Sequence, residues 1–64
     1  MPDGYRVYWT MPALFGKKPL PGAIRYHASA DTSLAADCLV DLLNDCDWVC
    51  DVSIEAVYDN KAAM

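Results

Sequence analysis

Residues 47–59 read DWVCDVSIEAVYD, and the fold turns on whether this stretch is a helix or a strand. The carboxylates at 47, 51, 55 and 59 stand four apart, as they would along one face of a helix. The apolar side chains keep a different period. Trp48, Cys50, Val52, Ile54, Ala56 and Tyr58 alternate without a break, and Val49, Val52, Ile54 and Val57 are β-branched. A step of four also returns to the same face of a strand, so a strand accommodates both patterns and a helix only one. The stretch is therefore expected to be a strand, with Asp51, Glu55 and Asp59 on its polar face.

Immediately upstream the period changes. Leu34, Ala35, Cys38, Leu39, Leu42, Leu43 and Cys46 recur at three- and four-residue steps, while Asp37, Asp41 and Asp45 fall together on the opposite side. Asp31, Thr32 and Ser33 precede this run, and each can accept a hydrogen bond from the first free amides of a helix. A helix from about 32 to 45 follows, with Asn44 near its exit.

The N-terminal half supplies two further strands. In 5–11, Tyr5, Val7, Trp9 and Met11 alternate with Arg6, Tyr8 and Thr10; in 23–28, Ile24, Tyr26 and Ala28 alternate with Arg25 and His27. Between them MPALFGKKPLPG, residues 11–22, carries three prolines and two glycines and reads as a loop, because each proline withholds an amide from any ladder. Leu14, Phe15 and Leu20 give this loop two readings, a cover over the core or an exposed binding loop. His27 reads as a surface strand residue, with no neighbouring carboxylate or thiol to orient it. Residues 60–64 read as a frayed tail.

The architecture predicted from these elements is α+β: β-β-α-β, a three-stranded antiparallel or mixed sheet in the order 2-1-3 with one helix on one face. The expected core is Val7, Trp9, Ile24, Tyr26, Leu34, Cys38, Leu39, Leu42, Cys50, Val52, Ile54 and Ala56. Sixty-four residues make a single small domain near the lower limit for folding without metal or disulfide help, so monomer and homodimer both remain open.

At 55% apolar and 22% charged residues, the chain is a globule and not a disordered tail. No apolar run approaches a membrane span, and the N-terminus lacks the basic start and apolar stretch of a secretory signal, which predicts a cytoplasmic protein. Cys38, Cys46 and Cys50 are odd in number and match no zinc spacing; they are expected to be buried, reduced and apolar in behaviour. Residues 45–51 imitate the start of a calcium loop, but Val49 and Cys50 occupy places that need a ligand and a glycine. No metal or cofactor is predicted, and no cleft for paired-carboxylate catalysis, so an enzyme is not expected.

Charge is the functional clue. The formal charge of −4 divides into +3 for residues 1–30 (four cations, one acid) and −7 for residues 31–64 (eight acids, one lysine). Such a balance disfavours direct nucleic-acid binding, which needs a basic stripe. Asp51, Glu55 and Asp59 have a structural explanation in cross-strand pairs with Arg6 and Arg25. Asp37, Asp41 and Asp45 have none: like charges at i,i+4 and anions near a helix C-terminus together cost on the order of 1–3 kcal/mol. One explanation is a solvated, solubilising face; the other is a surface kept negative for a cationic partner.

A small acidic β-β-α-β chain with the transition ASADTSLAAD, residues 28–37, from strand to helix resembles small phage-encoded proteins, anti-CRISPR inhibitors among them. The resemblance implies a non-enzymatic inhibitor in a bacterial host's cytoplasm. Asp37, Asp41, Asp45 and Asp47 would stand in for phosphates on the basic nucleic-acid-binding surface of an effector complex, with Asp51, Glu55 and Asp59 as a second contact row. The alternative expectation is a small regulatory or structural domain, antitoxin-like or an oligomer subunit, that binds through 11–22 or a sheet edge.

Overall fold

The computed structural model describes residues 2–14 and 16–58. Its order is β1 (Gly4–Leu14), β2 (Lys18–Ala30), α1 (Ser33–Asn44) and β3 (Cys50–Val57). The sheet order is β2-β1-β3, antiparallel at both junctions. The α+β class and the strand order 2-1-3 are those expected. The 60–64 tail lies outside the described residues, as do Phe15 and Asp59.

The 11–22 segment is a correction. It is no loop: β1 continues to Leu14 and β2 begins at Lys18, with Ala13 opposite Pro19 and Leu14 opposite Lys18. Pro12, Pro21 and Gly22 are absorbed by an irregularity between Met11 and Ala13, where β2 advances five residues against two on β1. Pro12, after a cis peptide bond, and Gly22, at φ 84°, occupy that irregularity. Proline is compatible with strands at edges and bulges, and β2 is an edge strand, so the prolines do not break the ladder here. The hairpin closes with Gly16 and Lys17 both at positive φ, and the Lys17 amide donates to the Leu14 carbonyl.

The strand expected over 47–59 is present as Cys50–Val57, and it is not uninterrupted. From Tyr8–Ser53 to Thr10–Cys50, β3 advances three residues while β1 advances two. The extra residue is accommodated at Asp51, which sits at φ 54°, the left-handed region that a bulge requires and that aspartate tolerates better than most residues.

The helix begins where the capping residues predict. Thr32 is extended at φ −130°, and its Oγ1 accepts from the Ala35 amide at 3.1 Å. Its inward face is different from the one expected. Ala36 is fully buried and Leu39, Val40 and Leu43 are half-buried, whereas Leu34, Cys38 and Leu42 are exposed. At about 100° per residue, Ala36, Leu39, Val40 and Leu43 fall within one arc, and Leu34 lies about 160° away. Apolar residues occupy more than half of the helix circumference, and the sheet selects the side that bears the small Ala36, which permits close approach.

The core is accordingly smaller than the expected dozen side chains. Val7, Ala13, Ala36, Val49 and Cys50 are buried; of these only Val7 and Cys50 were foreseen. Trp9, Leu39 and Val52 are half-buried, and Ile24, Tyr26, Leu34, Cys38, Leu42, Ile54 and Ala56 are exposed. The cause is a mismatch in length. α1 has twelve residues, about 18 Å of helix, against thirteen residues of β2, about 43 Å of strand. The radius of gyration is 13.6 Å, where a compact chain of this length has about 10.7 Å.

Candidate functional site

Asp37, Asp41 and Asp45 are all exposed on the outer side of α1, and Asp47 is exposed just beyond it. On the helical wheel the first three progress by about 40° per step with about 6 Å of rise between them, so they form a slightly spiralling row. Asp45 is the C-cap, its amide donating to the Asp41 carbonyl and the next amide, of Cys46, to the Leu43 carbonyl. There is no acid in the first turn of the helix and no cation in the last, so the row is arranged against the macrodipole. Among the described residues no Lys or Arg nitrogen lies within ion-pairing distance of these four carboxylates. Leu34, Cys38 and Leu42 flank the row on the same outer surface, with Leu34 73% and Leu42 66% exposed.

Lys17 reaches the helix end and takes carbonyls, not carboxylates. Lys17, at the tip of the β1–β2 hairpin, donates from Nζ to the Cys46 carbonyl at 2.6 Å and the Asn44 carbonyl at 3.4 Å. Its positive charge lies at the negative pole of α1, a role usually taken by a residue of the last turn itself.

The second acidic row does not form one surface. Glu55 is opposite Arg6 in the β1–β3 register, and its Oε1 accepts from the Tyr8 hydroxyl at 2.9 Å. The Arg6 pKa is raised above the ordinary arginine value, first by Tyr8 and also by Glu55. Asp51 faces away from such pairing: Arg25 Nη1 binds its backbone carbonyl, and its carboxylate lies 4.0 Å from the Cys50 thiol. The expected Arg25–carboxylate pair is thus replaced. Arg25 crosses from β2 over the Tyr8 ring, 5.6 Å from its centroid, and reaches Thr10 Oγ1 at 3.1 Å and Ser53 Oγ at 3.0 Å. Asp59, the third member of the row, lies outside the described residues.

His27 is exposed, its ring 6.0 Å from that of Tyr8. All three cysteines are free thiols, but only Cys50 is buried; Cys46 is half-buried and Cys38 exposed, which corrects the expectation of three buried thiols. Cys38 points outward because the sheet selects the Ala36 side of the helix. Among the described residues no three His, Cys, Asp or Glu side chains converge as a metal-ligand set.

Two features were missed in the sequence. Trp48 is 65% exposed and borders an open groove of about 330 Å³ with Met11, Pro12 and Tyr26. A neighbouring hollow adds Ala13, Leu14 and Asp47. Trp48 seemed to continue the strand alternation, and only the later start of β3 at Cys50 shows it to be a linker residue. The capping role of Lys17 had a single available signal, a Lys-Lys pair beside a turn glycine, which does not reveal its distant target.

Compared with protein-family models, with curated proteins and with solved structures, the chain matches none.

Proposed function

We propose that the chain is a non-enzymatic protein-binding inhibitor, of the anti-CRISPR type, that docks the outer face of α1 on a basic nucleic-acid-binding surface of a bacterial effector complex. The observation that supports this reading is the row Asp37, Asp41 and Asp45, with Asp47 just beyond the helix: four exposed carboxylates, the row set against the helix dipole, with no Lys or Arg paired to them among the described residues. Arginine and lysine side chains that otherwise neutralise a nucleic-acid backbone would meet these carboxylates, and Leu34 and Leu42 would add apolar contact beside them. Attraction between the two surfaces speeds association and weakens as salt is added. Glu55 and Asp51 are held within the sheet network and are secondary contacts at most in this reading.

The test is competition. A protein retained by the immobilised wild-type chain should bind nucleic acid, nucleic acid should displace it, and the variant carrying Asp41→Lys and Asp45→Lys should not retain it. Retention by the folded double variant, with circular dichroism unchanged, would remove the helix row from the binding surface.

The oligomer-subunit alternative also has a specific observation in its favour, the uncovered apolar part of the sheet. It is compatible with the inhibitor reading because the two use different surfaces.

A further inference from the structure

The two edges of the sheet are defended unequally. β3 is eight residues long, carries Asp51 and Glu55, and is bent by the bulge at Asp51, which are all devices that discourage a second strand from pairing. The first part of β2, residues 18–22, has Lys18, Pro19, Pro21 and the irregularity at Gly22. The remainder, AIRYHASA at 23–30, has no proline, glycine, lysine or acid. Its one permanent charge, Arg25, is turned inward to Thr10, Asp51 and Ser53, and so does not guard the edge.

The same half of β2 borders the part of the sheet that α1 fails to cover. Ile24 is 57% and Tyr26 37% exposed, Tyr26 stacks on Trp9 at a centroid distance of 6.0 Å, and the exposed Trp48 lies across the groove. Side chains of this kind have roughly 150–250 Å² each in their aromatic members. The exposed parts of the Tyr26 and Trp48 side chains amount to roughly 150–250 Å², and Ile24 and eight residues of strand edge add to the area a partner could cover, against about 800 Å² per partner in a stable interface. With five buried apolar side chains among the described residues the core is small, and association would supply what the monomer lacks.

We propose that the protein is a homodimer in which residues 24–30 of β2, centred on His27, pair antiparallel with the same residues of a second copy, extending two three-stranded sheets into one of six strands. Charge favours a second copy at this edge and not at the other. Residues 18–30 contain no acid, so β2–β2 pairing keeps the acids of α1 and β3 away from the junction, whereas β3–β3 pairing would bring Asp51 and Glu55 of both copies together. A two-fold axis perpendicular to the sheet relates the copies, which leaves both helices on one side and joins Ile24 and Tyr26 of each into a continuous apolar strip. The acidic row of α1 stays outside the junction, so the dimer stands or falls separately from the inhibitor reading.

Sedimentation equilibrium of the full chain tests this directly, with twice the 7.1 kDa chain mass expected. Ile24→Lys, at a position already exposed in the single chain, should weaken association by about tenfold or more. Leu34→Lys, on the outer face of α1, should leave the dimer intact. Hydrogen exchange of the unmutated protein provides a check independent of any variant: amides within 24–30 should gain protection as concentration rises from micromolar to millimolar. A single-chain mass throughout that range, or a dimer disrupted by Leu34→Lys and not by Ile24→Lys, would overturn the proposal.

Discussion

The Nζ of Lys17 lies 2.6 Å from the carbonyl oxygen of Cys46, so the tip of the β1–β2 hairpin closes the end of a helix almost thirty residues away in sequence. Local structure would leave the last carbonyls of α1 to water, since its final turn has no cation. The hairpin supplies one, and the contact holds the distal part of the sheet against the segment between Asn44 and Cys50.

Lys17→Ala should therefore destabilise the fold by about 1–2 kcal/mol, from the lost charge-assisted hydrogen bond and the lost interaction with the helix dipole. Lys17→Gly loses the same contacts but relieves a side chain held at φ 64°, so its cost should be smaller by about 0.5–1 kcal/mol. Urea denaturation of the three proteins gives the order. Equal midpoints for the glycine and alanine variants would show that the backbone at 17 is unstrained.

Arg25 ties all three strands together through one guanidinium. Arg25→Ala is expected to cost about 2–3 kcal/mol, and Arg25→Lys nearly as much, because a single ammonium cannot reproduce a planar fork reaching Thr10, Asp51 and Ser53 at once. Thermal unfolding separates this from a simple charge effect, in which case the lysine variant would behave as the parent.

Replacing Asp41 and Asp45 by lysine removes two like-charge neighbours and places cations at the negative pole of α1. The folded state should gain on the order of 1–2 kcal/mol, and the gain should shrink in high salt. Chemical denaturation in low and high salt measures both. A surface whose negative charges stabilised the chain would respond with the opposite sign.

How much of this could be read beforehand depended on whether a local signal or a tertiary choice set the outcome. Thr32 and the changes of hydrophobic period were local, and they located the helix and all three strands. The helix face was not local: Leu34, Cys38 and Leu42 formed as regular an apolar stripe as Leu39 and Leu43, and only packing against the sheet chose the side with Ala36. Pro19 and Pro21 argued for a loop because their edge-strand setting was unknown until the sheet order fixed it, and Pro12 because the irregularity in β1 that holds it has no mark in the sequence. Of the candidate site, the exposed carboxylates of α1 were legible from spacing alone. The partition of the second row was not, because Tyr8 and Arg25 reach across strands to positions that no sequence interval announces.

Asp51→Gly should raise stability by about 0.5–1 kcal/mol, since glycine meets the left-handed backbone at this bulge without the steric cost. Asp51→Val should lower it by more than that, because a β-branched side chain is the least suited to positive φ. Equilibrium unfolding of the pair decides whether the φ of 54° is the controlling factor.

The displaced count at Asp51 also has a developmental meaning for the sequence. Residues before Asp51 are read by the sheet one step out of phase with those that follow, so the bulge separates the facing of the buried Cys50 from the alternation that Ser53 and Ile54 keep with β1. The molecule thus contains a phase boundary inside its shortest strand.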